Sequence, residues 1–158
     1  MENNSKEIDD IVDSIIKPYC KELDKYIEYI LDELLQDKEN PPTDEELDDV
    51  CMYLSTLIYF AGGLCERLGL RDDIAKAVYK EMYHTERSRL DGGTVADKDS
   101  LAELASQEQA IISSAYTRAY KTMKSKVENA QEVLQSCKKV MSRRMQEQEL
   151  THIGGSGR

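Results

Sequence analysis

The sequence predicts an all-α fold, an elongated helical bundle with a long C-terminal helix that assembles through helix packing. Three observations predict it. Apolar residues recur at three-four spacing along most of the chain, the pattern of amphipathic helices. Glycine and proline are scarce, 8 and 3 in 158 residues, while Glu, Lys, Leu and Ala are abundant. From Asp97 to Gln148 there is neither a proline nor a glycine. The length predicts one domain, or one domain with an extended arm. An acidic helical segment is expected over 1–40 and a helical core over 41–150, whose basic long helix spans 98–150. A flexible tail is expected over 151–158.

The first helix is marked by Ile8, Ile11, Val12, Ile15, Ile16, Tyr19, Leu23, Tyr26, Ile27, Ile30, Leu31, Leu34 and Leu35. Pro18 falls inside this pattern. It lacks a backbone donor and crowds the preceding turn, so a kink or break is expected there. Asn40-Pro41-Pro42 ends the segment. Thr43 with Glu46 three residues on predicts a capping box, each side chain accepting from the other residue's amide. Beyond it Leu47, Val50, Cys51, Leu54, Leu57, Ile58, Ala61, Leu64, Cys65 and Leu68 predict the central buried helix. Gly62-Gly63 interrupts that stripe, as a close-packing site or a bend. Gly69 is expected to stop the helix, and Asp72 or Asp73 to cap the next one, running to about Leu90. Asp91-Gly92-Gly93-Thr94 predicts a turn. The last helix is expected to start at Asp97, or at Ser100 with Glu103 as a second capping box. Its apolar positions are Leu101, Leu104, Ile111, Ile112, Tyr116, Ala119, Met123, Val127, Ala130, Leu134, Cys137, Met141 and Met145. From Tyr116 they follow a heptad-like rhythm with one stutter at Met123–Val127. Fifty helical residues span roughly 75 Å, so packing against neighbours and other subunits is expected.

Composition narrows the function classes. With no Trp and one Phe, the core must come from Ile, Leu, Val, Met and Tyr, which suits a bundle and is thin for an enclosed enzyme pocket. No apolar run reaches 18 residues and no signal-peptide pattern opens the chain, so a cytoplasmic protein without a membrane span is expected. Cys20, Cys51, Cys65 and Cys137 lie far apart, with no C-x-x-C spacing, and read as reduced core residues with no metal. Only His84 and His152 are present, and neither a Gly-rich phosphate loop nor a marked carboxylate pair occurs. No enzyme and no cofactor are predicted.

Charge is segregated. Residues 1–61 hold 17 acids and 5 bases, whereas residues 118–158 hold 4 acids and 9 bases, in a chain of net charge −10. An acidic half and a basic half suit self-assembly, or a basic surface kept for an anionic partner. The basic set is Arg87, Arg89, Arg118, Lys121, Lys124, Lys126, Lys138, Lys139, Arg143 and Arg144. Arg118, Lys121 and Lys124 share one helix face, with Tyr116 and Tyr120 beside them. Cations along a stripe with rings close by suit single-stranded nucleic acid, phosphates on Lys and Arg and bases on Tyr. The plainer reading is a solvated basic face that balances the acidic helices.

The stretch Arg87-Ser88-Arg89-Leu90-Asp91 resembles the basic–x–Arg–Leu motif of UvsY-type phage recombination mediators. The small turn, the helix start Ala96-Asp97-Lys98-Asp99-x-Leu101 and the closing Ser142-Arg143-Arg144-Met145 are similar to that family too, over roughly residues 80–147. The resemblance implies an all-helical homo-oligomer, as a ring, that binds single-stranded DNA. It would load a RecA-like recombinase in place of a single-strand-binding protein, in an infected bacterial host if phage-encoded. The family's DNA-contacting positions would be Arg87 and Arg89; the basic set itself offers Arg118, Lys121, Lys124, Lys138, Lys139, Arg143 and Arg144 as further contacts. Residues 1–61, long and strongly acidic, depart from the family pattern. Two other readings stay open. One is an acidic helical interaction module, an inhibitor or DNA mimic using residues 1–49. The other is a structural coiled-coil subunit that binds no nucleic acid.

Overall fold

A computed structural model describes residues 2–34 and 39–155. Among them every regular element is helical: α1 (Glu2–Tyr29), a π-helical turn (Ile30–Leu34), α2 (Asp44–Arg89), α3 (Val95–Ala105) and α4 (Gln107–Gly155). The all-α bundle with a long C-terminal helix is therefore observed. No helix among the described residues is long and apolar enough to cross a membrane. Leu35 and the tail residues 156–158, included in the sequence expectations, lie outside the described residues.

The chain forms two compact units, Met1–Tyr19 with Gly63–Lys124, and Cys20–Gly62 with Ser125–Arg158. α1, α2 and α4 each contribute residues to both units. In the first unit the buried side chains include Val12 and Ile16 from α1, Cys65 and Leu68 from α2, Ala102 from α3, and Ala115, Ala119 and Met123 from α4. In the second they include Leu23, Leu47, Leu54, Ala130, Leu134 and Cys137. All four cysteines are buried and unbridged.

Several boundaries differ from the sequence expectation, each for a local reason. α1 continues through Pro18, so the proline does not break it. The Thr43–Glu46 box forms: the Glu46 carboxylate accepts from the Thr43 amide at 2.7 Å, and Thr43 Oγ1 accepts from the Glu46 amide at 3.2 Å. Thr43→Ala should lower stability by about 1 kcal/mol, readable as a shifted urea midpoint with unchanged slope.

α2 is one helix of 46 residues where two were expected. Gly62 and Gly63 stay helical, with open space where a Cβ would stand. Gly69 also stays helical, and the Tyr120 ring covers it; a Cβ there would meet Tyr120 Cε2 at 3.1 Å. Helix-stopping glycines need the left-handed region, and among the described residues the glycines that occupy it are Gly92 and Gly93, both at φ 84°. Asp72 is thus a mid-helix residue, not a cap. α2 is also not buried all round: Met52, Tyr59 and Phe60 face outward with 63–78% exposure.

After the glycine turn, Thr94 takes an extended conformation and caps α3 with a box closed by Asp97, not by Glu103. The last helix is not continuous from residue 98. Fully buried Ser106 turns its hydroxyl back onto the Ala102 carbonyl at 2.7 Å. The backbone N–H of Ser106 also donates to the Ala102 carbonyl at 3.0 Å; Ser106 departs from helical dihedrals at φ −99°, ψ 8°, and there α3 ends and α4 begins at Gln107. α4 then runs through residues 151–155, expected as flexible tail.

Candidate nucleic-acid interface

In the first unit, the end of α2 presents Arg87 and Arg89 just before the Gly92-Gly93 turn. Their placement follows from the capping residues: the positive-φ pair reverses the chain, and the Thr94–Asp97 box aims α3 back along α2. Asp99 on α3 then meets Arg87, whose Nε donates to Asp99 Oδ1 at 2.5 Å. The Tyr83 hydroxyl donates to the same oxygen at 3.1 Å. Burial, then this bond to Asp99, push the Tyr83 phenol above its ordinary value. Arg89 pairs with Glu86 one turn back, at 2.8 Å, and stays largely exposed. The two arginines of the basic motif are therefore not equivalent. Arg87 is tied between helices, while Arg89 holds a surface ion pair worth at most about 1 kcal/mol.

Further along the first unit, Arg118 reaches Asp9 on α1 at 3.3 Å, both side chains more than half exposed. Lys121 and Lys124 are exposed, and Lys124 is engaged within the chain. Tyr116 and Tyr120, expected to stack bases, are half-buried; the Tyr120 ring is already placed against Gly69. Beneath them lies Asp72, 4% exposed. It accepts from Lys76 Nζ at 2.7 Å and from Thr117 Oγ1 at 2.5 Å. Burial raises its carboxyl pKa, but the bonds from Lys76 and Thr117 and the charges of Lys76 and Lys121 outweigh burial and hold it below the ordinary value.

In the second unit, Arg144 is the best-held cation. Its Nη1 donates to the Pro42 carbonyl at 2.6 Å and to Asp44 at 2.9 Å, which pins α4 to the start of α2. Lys126 pairs with Asp24 at 2.7 Å. Arg143 and Glu147 stand 3.9 Å apart in solvent. Lys138 and Lys139 are exposed on α4 and have no ion pair among the described residues. Burial, reinforced by the neighbouring Asp24, raises the Cys20 thiol to about 11; burial also raises Cys51 and Cys137. These thiols stay protonated near neutral pH. His84 is exposed and packs against Tyr83 with ring centroids 5.4 Å apart. No group of three or more His, Cys, Asp or Glu among the described residues is placed to hold a metal ion.

The predicted cations are divided between the two units. Arg87, Arg89, Arg118, Arg143 and Arg144 each face a carboxylate of their own chain. Two exposed arginines outside the predicted set, Arg67 and Arg71, have no ion pair among the described residues. They line a concavity on α2 with Tyr19, Leu64 and Leu68. The available signal was the absence of Asp or Glu three or four residues to either side of each. The apolar stripe around them hid it, because the whole segment read as a buried helix. Comparison of the chain with protein-family models, curated proteins and solved structures gives no match.

Proposed function

We propose that the protein is a non-catalytic, self-associating helical mediator that binds single-stranded DNA and promotes loading of a RecA-like recombinase onto strands held by a single-strand-binding protein. The observation that carries this reading is the exposed basic charge on α4: in a chain of net charge −10, it presents Arg118, Lys121 and Lys124 to solvent in the first unit and Lys138, Lys139 and Arg143 in the second. The order of the basic–x–Arg–Leu stretch, the glycine turn and the closing helix adds the likeness to UvsY-type mediators.

The mechanism is exchange of partners. Exposed ion pairs such as Arg89–Glu86, Arg118–Asp9 and Arg143–Glu147 hold little net energy. A phosphate can replace the internal carboxylate at small cost and releases a counterion as it does so. Each contact is weak, and self-association multiplies them along one strand. Outward apolar residues support the assembly part of the reading: Leu101 and Leu104 on α3 in one unit, and Met52, Tyr59 and Phe60 on α2 in the other, all exposed. Burying such side chains contributes roughly 1.5–3 kcal/mol each when complete.

One observation favours a second reading, the acidic interaction module: five of the predicted arginines already face carboxylates of their own chain. Fluorescence anisotropy of a labelled single-stranded oligonucleotide over a salt series separates the two. The mediator reading expects log affinity to fall with log salt at about 0.7 per phosphate contact, with weaker binding to duplex. No binding at low salt, together with competition against DNA for a basic protein, would favour the acidic module.

A further inference from the structure

We propose that Arg67 and Arg71 on α2, with Tyr19 on α1 lining the same concavity, form a phosphodiester-binding site for the backbone of single-stranded nucleic acid. This deepens the mediator reading and rests on it; it places the first phosphate contacts away from Arg87 and Arg89.

Seven arginines are described, and five of them face a carboxylate within the chain. The two that do not are one helical turn apart on the same exposed face. Acids outnumber bases by 31 to 21 in this sequence, so an arginine without a carboxylate is the exception, and two together need a reason. That reason is local. At three and four residues on either side, Arg67 has Gly63, Leu64, Leu70 and Arg71, and Arg71 has Arg67, Leu68, Ile74 and Ala75. The helix offers neither of them a partner, in contrast to Lys76 with Asp72 and Arg89 with Glu86. Like charges at this spacing cost a few tenths of a kcal/mol in an isolated helix, a cost that an anion between them removes.

The geometry suits a phosphate chain. Four residues rise about 6 Å along a helix, so the two arginines stand one turn apart on one side of α2 and line the same concavity. A guanidinium presents a planar fork of donors that matches phosphate oxygens in pairs. Between and beneath them the concavity is walled by Leu64, Leu68 and the half-buried Tyr19. An apolar wall lowers the local dielectric and strengthens each contact, and an aromatic ring beside a cationic groove is the kind of surface on which a base stacks. A free arginine binds without first displacing a carboxylate, which Arg87 must do.

The test uses the full-length chain and fluorescein-labelled oligo-dT in an anisotropy titration across salt. Arg67→Ala/Arg71→Ala should weaken binding at least tenfold at low salt and reduce the salt slope by about 1.4, for two contacts at about 0.7 each. Arg67→Lys/Arg71→Lys keeps the charge and should retain most of the slope. Both positions are exposed, so unchanged helicity by circular dichroism is expected in every variant. If the wild-type chain binds and the double alanine variant matches it in affinity and slope, this site is overturned while the mediator reading stands. If the wild-type chain does not bind at low salt, the mediator reading itself fails, and this site with it. Equal competition by inorganic phosphate and by unlabelled oligo-dT, per phosphate, would overturn the polymer assignment. Competition by poly-glutamate alone would assign the arginines to an acidic protein.

Discussion

Met123→Ala should lower the unfolding free energy by about 2–5 kcal/mol, the range for truncating a fully buried large side chain. Met123 is completely buried, and its neighbours one turn before it on α4 and two turns before it are Ala119 and Ala115, also buried. Alanines have no atoms to swing into the space that the thioether leaves, so the loss should fall in the upper half of that range. A urea titration followed by circular dichroism reads it as a lower midpoint at constant slope. Met145→Ala is the control, since Met145 is 60% exposed, and it should change stability by less than about 0.5 kcal/mol. A Met123 loss under about 1 kcal/mol would mean that α4 does not bury the stripe described for it. The position is also informative because the heptad-like rhythm of the last helix stutters there; a full-sized loss places the stutter inside the core.

How far the sequence could be read depends on what kind of side chain makes the contact. Along α4 the expected apolar positions Ala119, Met123, Val127, Ala130, Leu134 and Cys137 are buried, while Met145 near the end is exposed; a three-four spacing kept over several turns marks one face whatever the size of its members. Before Ala119 the expectation picked Leu101, Leu104, Ile111 and Ile112, all exposed, while the chain buries Ala102, Ser106, Ser113 and Ala115. Small residues let backbones come close, but a hydrophobicity pattern ranks them below leucine, so a contact made by closeness is invisible to it. Glycine misled in the same way. Gly69 looked like a stop, yet a glycine ends a helix by leaving the right-handed region, and here a ring from α4 covers it instead. Local signals survived best: the Thr43–Glu46 box needs only four consecutive residues and forms as expected. At the candidate site the cations were legible one by one, but their partners were not. Asp9 lies 109 residues from Arg118 and Asp44 lies 100 from Arg144. Which of those charges stay available is a tertiary property, although Arg67 and Arg71 carry a local mark, no acid three or four residues to either side, inside a stripe that reads as a buried helix.

Asp72 is where misreading the helix matters most for stability, and it yields the second large effect. Asp72→Ala should cost about 1–3 kcal/mol, because it strips a nearly buried acceptor from Thr117 and from Lys76 and leaves the Thr117 hydroxyl to find another partner. Asp72→Asn should cost less at neutral pH: the amide oxygen still accepts from Thr117, while the charge that attracts Lys76 and Lys121 is gone. The pH dependence separates the two contributions. The folded carboxyl titrates below its ordinary value, since the bonds from Lys76 and Thr117 favour the ionised form over the opposing effect of burial. The unfolded chain therefore binds its proton at higher pH than the folded chain. The stabilisation is fully present above the unfolded value near pH 4, and it is lost as pH falls through the lower, folded value. Wild type and Asp72→Asn should differ in urea midpoint at pH 7 and converge once the solution is acid enough to protonate Asp72 in the fold. A gap that stays constant from pH 7 down to pH 2 would show that the lost bond geometry, and not the charge, sets the contribution of this residue. Convergence would establish that α2 holds a buried, ionised aspartate in mid-helix, tied to α4 through Thr117 and balanced by Lys76.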